Sequence, residues 1–368
     1  MSNTNKRIFL SPPYVGNKEL AFVREAFASG YIAPCGPQLD EFERRLAALS
    51  GRAHAVALAS GTAAIDTVLE YLGVGPGWTV LAPTLSFIAT VGPASHRGAS
   101  IAFVDCDDTG NVDTALVAAA LADAELKARS PKGVLVIGVD LYGRCCDYAE
   151  LDRLCRAAGA TFIIDAAESV GSKRGAFAAG GAGLAAIYSF NGNKTVTTSG
   201  GGAVLTDCRE LADAVRKVST QSREPVRHYE HRAVGYNYRM SNILAAIGLG
   251  QLDRLDEILR RRARTADFYA RRYPMLPPVA GENHWINVML CRDESSRDRL
   301  IEALEAANIE SRPVWKPLHL QPVFSGLKCF GGAKAEELFR RGICLPSGTG
   351  LTPADRRRIA AVIDSVAS

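Results

Sequence analysis

The stretch Ser189-Phe190-Asn191-Gly192-Asn193-Lys194, continued by Thr195-Val196-Thr197-Thr198 and the glycines Gly200, Gly201 and Gly202, decides how this chain is read. It follows Ala185-Ala186-Ile187-Tyr188, an apolar run with the composition of an interior strand. Lys194 is therefore expected at the edge of a packed core, where loss of solvent favours the neutral amine that carbonyl chemistry needs. Upstream, Thr161-Phe162-Ile163-Ile164 forms a second such strand, ends on Asp165 and runs into Ala166-Ala167-Glu168-Ser169.

Two readings of this pair stand side by side. A lysine after a strand is commonly a solvated loop residue, and an aspartate at a strand end commonly caps a helix. At neighbouring strand ends the two also match what pyridoxal 5'-phosphate requires: the acid pairs with the pyridinium nitrogen and the lysine holds the aldehyde covalently.

Further apolar runs lie at Ala55-Val56-Ala57-Leu58, Thr79-Val80-Leu81, Ile101-Ala102-Phe103-Val104 and Val134-Leu135-Val136-Ile137. Between them, Phe42, Leu46 and Leu49, and then Leu151, Leu154 and Ala158, recur at helical spacing. Strands alternating with helices predict an α/β fold with a mainly parallel sheet, whose ligands bind at the carboxyl ends of the strands. After about residue 245 the pattern changes to a charged helix expected from Gly250 to about Tyr273, then short strands and helices, with Leu276-Pro277-Pro278 as a kinked connection. This predicts a large domain over 1–248 and a small α+β domain over 249–368.

The 368 residues are 47% hydrophobic and 22% charged, enough for a large core. The net charge of +4 comes from helical runs such as Arg260-Arg261-Arg262 rather than a basic tail, so no nucleic acid is expected. Nine cysteines, scattered and without CxxC spacing, predict reduced thiols in a cytoplasmic protein. The adjacent Cys145 and Cys146 read as apolar filler. Neither a signal peptide nor a membrane span is predicted, and no metal is expected.

The segments Ala59-Ser60-Gly61-Thr62-Ala63-Ala64, Asp165 to Ser169, Ser189 to Lys194 and Gly235-Tyr236-Asn237-Tyr238-Arg239-Met240-Ser241-Asn242 have the order and spacing of the DegT/DnrJ/EryC1/StrS family of nucleotide-sugar aminotransferases, which nearly the whole chain resembles. The resemblance implies PLP-dependent fold type I, with a mainly parallel seven-stranded sheet and helices on both faces. The tract Ser219 to Glu224, His228-Tyr229-Glu230-His231 and Arg312-Pro313-Val314-Trp315-Lys316-Pro317-Leu318-His319 look most like the branch that aminates C4 of a UDP-linked 4-keto-6-deoxy-N-acetylhexosamine with L-glutamate, toward bacillosamine-type sugars. A GDP-sugar 4-aminotransferase of perosamine type is the near alternative, and a PLP-binding regulator without turnover the distant one.

By this resemblance, Lys194 and Asp165 are catalytic, while Gly61, Thr62, Ala63 and Ser189 take the cofactor phosphate. Ser60 read alone is simply a helix cap. Phe87 would stack on the pyridine face, and Glu168 would lie near the ring 3-hydroxyl. Asn237 would reach the cofactor phosphate of a second subunit, which makes the active unit a homodimer. Arg239 would bind a donor carboxylate or the substrate diphosphate, and Tyr31, Ile32, Trp315, Lys316 and His319 would face the sugar nucleotide. Two departures stand out: Ser199-Gly200-Gly201-Gly202 replaces the common Gly-Glu-Gly-Gly, and Asp140 stands where histidine is common, with no role that the sequence assigns.

Overall fold

The computed structural model describes residues 6–367. Its strands are β1 (His54–Leu58), β2 (Trp78–Pro83), β3 (Ser100–Val104), β4 (Gly133–Val139), β5 (Thr161–Asp165), the short hairpin β6 (Lys173–Arg174) and β7 (Phe177–Ala178), β8 (Ala185–Ser189), β9 (Gly202–Thr206), β10 (Asn287–Leu290), β11 (Arg312–Pro313), β12 (Cys329–Phe330) and β13 (Gly342–Leu345). Eight of them form the central sheet in the order β1-β9-β8-β5-β4-β2-β3-β12. All pairings are parallel except those of β9 with β1 and β8, so β9 alone runs against the rest.

Side chains on a strand alternate between faces, and helices cover both. Ile164 and Tyr188 face one side, where they pack with Phe42 and Leu46 of α2 (Pro37–Ser50). Ile163 and Ile187 face the other, against Ala64, Val68 and Leu69 of α3 (Gly61–Leu72). Phe42 also meets Phe190 edge-on, with ring centroids 5.2 Å apart. Burying such a ring contributes about 2 kcal/mol, and here it backs the turn that carries Lys194.

The architecture is the α/β one expected, a mainly parallel sheet with helices on both faces, with two differences from the sequence reading. The sheet has eight strands rather than seven, because the two-residue β12 adds to the edge of β3 from the C-terminal part of the chain. The helix expected over Gly250 to Tyr273 is two helices, Asn242–Leu252 and Leu255–Ala270. The first belongs to the large layer: a Cβ on Gly248 would come within 2.5 Å of the Phe42 ring, and one on Gly250 within 2.6 Å of the Glu19 backbone. Glycine permits that approach and anchors this helix against α2 and α1 (Asn17–Ser29), so the chain turns at Asp253 and Arg254 before it continues.

The division expected at 248/249 thus falls inside a helix. Beyond it, the antiparallel sheet β10-β13-β11 shares a core with the second helix, in which Tyr269, Met289, Ile343 and Ile359 are buried. The chain start joins this layer: Ile8 bridges Ile309, and Ser347 N donates to the Leu10 carbonyl at 2.7 Å. Leu276 is not a free kink, since it is buried and its N–H bonds the Val288 carbonyl at 2.9 Å. No helix among the described residues is long and apolar enough to cross a membrane.

Candidate active site

The carboxyl ends of β1, β4, β5 and β8 open into a cavity of about 860 Å³, closed on its far side by residues 9–13, Trp285, Glu310, Arg312 and Trp315. At its floor, β1 gives way to α3. Ser60 caps the helix, its side chain accepting from Ala63 N at 3.0 Å, while Gly61 and Thr62 line the cavity. Their first-turn amides have no partner within the helix, and the helix dipole adds a positive end, which together suit a phosphate. The cradle is tight: a Cβ on Gly202 would lie 2.5 Å from Gly61 N and the Ser60 carbonyl, and one on Gly61 would lie 3.1 Å from Ser189 Cβ. Ala63 is buried behind the cap and does not line the cavity.

Asp165 ends β5 inside the cavity wall. Its carboxylate accepts from Thr90 Oγ1 at 2.6 Å and from Ala167 N at 3.2 Å, and forms no salt bridge among the described residues. Burial raises its pKa above the ordinary carboxylate value, while the Thr90 hydroxyl and the Lys194 charge pull it back. A protonated ring nitrogen would supply the missing positive partner. Phe87, 56% exposed, forms one wall with Trp315, their ring centroids 5.6 Å apart. A phosphate cradle, a buried acid without an ion-pair partner, an aromatic wall and a lysine amine in one cavity fit pyridoxal phosphate.

Lys194 Nζ stands 4.1 Å above the Trp285 ring centroid and 3.5 Å from Glu168 Oε1. Its turn is pinned from outside the large layer, because the neighbouring Asn193 carbonyl accepts from Ser11 Oγ at 2.8 Å and Trp285 Nε1 at 2.7 Å. Glu168 accepts at its other oxygen from Tyr142 N, at 2.6 Å. Burial pushes Glu168 up to about 7, with Lys194 and the Tyr142 N–H acting in the opposite direction. Tyr142 holds a left-handed backbone at φ 55°, uncommon for a bulky residue, and this turn aims its N–H at Glu168.

Asp140 gains a structural account here. It is fully buried behind the cavity, where it accepts from Tyr148 Oη and Ser169 Oγ at 2.5 Å each and from Cys146 N at 3.0 Å. It ties the turn after β4 to the segment after β5, the two pieces that place Tyr142 and Glu168. Burial pushes its carboxyl up to about 6, against the pull of those hydrogen bonds.

Several sequence-predicted site residues lie elsewhere. Arg239 is spent on structure: its Nη1 donates to Glu43 Oε1 at 2.6 Å and to the Ala57 carbonyl at 2.8 Å, and its side chain is 6% exposed. It is not among the residues that line the cavity of its own chain. His319 is likewise held, by Thr84 Oγ1 at 2.6 Å and Glu336 Oε1 at 3.3 Å. Lys316, Tyr31, Ile32 and Asn237 are exposed and lie outside the cavity of their own chain. Conversely, Trp285, Thr90, Tyr142 and Glu310 line the site although no sequence motif points to them, and so does Arg312, which begins the 312–319 tract but is given no site role there. Trp285 carries no local signal, and Arg312 stands in a tract where nothing distinguishes it from its neighbours.

The model of the DegT/DnrJ/EryC1/StrS aminotransferase family matches residues 13–364. The chain is 38% identical, over 98% of its length and 95% of the relative's, to the putative pyridoxal phosphate-dependent aminotransferase EpsN of Bacillus subtilis. It is 34% identical, over 98% of both chains, to the GDP-perosamine synthase of Caulobacter vibrioides. Among solved structures, DesI in the presence of its TDP-sugar product superposes with a TM-score of 0.87 at 29% identity, covering 98% of this chain and 93% of that one. The chain belongs to the DegT/DnrJ/EryC1/StrS aminotransferase family. Its cofactor is pyridoxal phosphate and its reaction class is amino transfer on sugars.

Proposed function

We propose that the protein transfers the amino group of L-glutamate to the C4 ketone of UDP-2-acetamido-2,6-dideoxy-4-keto-hexose, releasing 2-oxoglutarate and a UDP-linked 4-amino sugar. The observation that carries the amino-transfer chemistry is one cavity wall: Lys194 Nζ lies 3.5 Å from Glu168 Oε1, with the buried Asp165 beside them. Pyridoxal phosphate, when bound, supplies the electron sink and carries the amino group between two half-reactions. Gly61, Thr62 and Ser189 would hold its phosphate, Asp165 would keep the ring nitrogen protonated, and Phe87 would flank the ring. Lys194 Nζ takes the proton from the donor's α-carbon in the first half and returns a proton to sugar C4 in the second. Glu168, buried with Oε1 3.5 Å from that amine, orients it. Water is kept from the amine by Trp285, Trp315 and Tyr142, whose rings pack within 5.1–6.4 Å of one another.

The UDP sugar is favoured by the tracts at 219–224 and 312–319. A GDP-linked 4-keto-6-deoxymannose is the second reading, supported by the similarity to GDP-perosamine synthase. Asn237, exposed and outside its own cavity, supports a homodimer in which it completes the site of a second copy; full activity in a species that sediments as a monomer would end that part. The deciding assay is 2-oxoglutarate release from L-glutamate with each keto-sugar in turn, with Lys194→Ala as the inactive control. Turnover with the UDP sugar alone supports the proposal, and turnover with the GDP sugar alone replaces its substrate. Release by neither overturns it.

A further inference from the structure

We propose that Arg312 is the anion-receiving residue of this cavity. Glu310 holds it ready, and on binding Arg312 exchanges that partner for an anionic oxygen group of the substrate, a carboxylate of the amino donor or the diphosphate of the nucleotide sugar. The inference rests on the amino-transfer reading above, whose co-substrates are all anions.

The charges that face the cavity narrow the choice. Asp165, Glu168 and Glu310 line it, and among the described residues the only cationic side chains doing so are Lys194 and Arg312. Within the lining that its own chain supplies, an incoming dianion therefore meets acidic walls except at these two residues and at the start of α3. That helix start suits the cofactor phosphate, and Lys194 is engaged with Glu168 and assigned above to the proton transfer. Arg239, the guanidinium that the sequence pointed to, is sealed against Glu43. Arg312 remains.

Its setting suits exchange. Arg312 is held by its backbone on β11, in register with Cys344 of β13, while its side chain is 68% exposed. Among the described residues its one side-chain partner is Glu310, to which Nη2 donates at 3.2 Å. A single exposed contact of that kind is weak and screened by solvent, whereas the planar guanidinium can grip a carboxylate or diphosphate with two charge-assisted hydrogen bonds. Glu310 does not swing away with it, because its second oxygen accepts from Leu10 N at 3.0 Å. The anchored carboxylate therefore orients the empty guanidinium and competes with the ligand.

The test is calorimetric titration of the cofactor-loaded protein with three probes that cannot react: glutarate, UDP and GDP. Steady-state constants for L-glutamate and the keto-sugar are measured beside it. Arg312→Gln is expected to weaken glutarate or the nucleotides at least about tenfold, the loss of one or two charge-assisted bonds. It should raise KM for the matching substrate more than it lowers kcat. The probe that loses affinity tells carboxylate from diphosphate. Arg312→Lys, which keeps the charge without the fork, should recover part of the loss, and Glu310→Gln should tighten the same probe severalfold. Unchanged binding of all probes by Arg312→Gln, or no binding of any probe by the unaltered protein, overturns the inference. If anions bind through Arg312 but no keto-sugar turns over, the inference stands and the proposed reaction falls.

Discussion

Glu168→Gln offers a direct measure of how strongly the site resists a buried negative charge. Glutamine is nearly isosteric and can still accept from Tyr142 N, so the perturbation is mainly one of charge. Burial lifts the Glu168 carboxyl from 4.5 to about 7. Its pKa is raised in the folded state, so between those values the folded protein keeps a proton that the unfolded chain has lost, and stability falls as pH rises. The shift of about 2.5 units, at about 1.4 kcal/mol each, amounts to about 3 kcal/mol. Glutamine does not titrate, and the variant escapes that loss. Denaturant unfolding of the cofactor-free wild type and variant at pH 4.5 and pH 8 should show the wild-type free energy falling relative to the variant by about 3 kcal/mol across the window. Asp140 and Asp165, whose carboxyls are also raised, contribute to both proteins and largely cancel in the difference. A wild-type-minus-variant difference that stays level across this range would refute the claim that Glu168 is held against ionisation.

Gly202→Ala should push its new methyl into Ser60 and Gly61 backbone atoms 2.5 Å away and displace the start of α3. Pyridoxal phosphate affinity, followed by equilibrium dialysis, is expected to drop at least about tenfold, because the amide cradle is what moves. Arg239→Ala should destabilise the fold by about 1–2 kcal/mol, since the buried Glu43 carboxylate loses one charge-assisted bond but keeps Arg216 Nη2 at 2.9 Å, while the KM values for L-glutamate and keto-sugar stay close to those of the wild type. A large KM effect with little change in stability would restore Arg239 to the binding site.

The sequence by itself determined the parts of this protein that depend on local pattern. Short apolar runs punctuated by helical periodicity bury both faces of a sheet in one way, so the strands leading to Asp165 and Lys194, and their helical partners, are legible in the residues alone. The Ser60-Gly61-Thr62 turn is legible for the same reason: a capping serine before an apolar helix fixes where the free amides point. β9 is hidden in the sequence because its glycine-rich entry masks the run, and the two-residue β11 and β12 are too short to carry a pattern. What tertiary structure alone decided is which distant side chains share space. Arg239 and Arg312 are equally plausible anion ligands as residues, and only packing shows one sealed by Glu43 and the other open to the cavity. Trp285 and Ser11 sit far along the chain from Lys194, yet both bond the Asn193 carbonyl that holds its turn. Such contacts follow from how the chain start and the second sheet close over the first, a long-range arrangement that leaves no periodic trace.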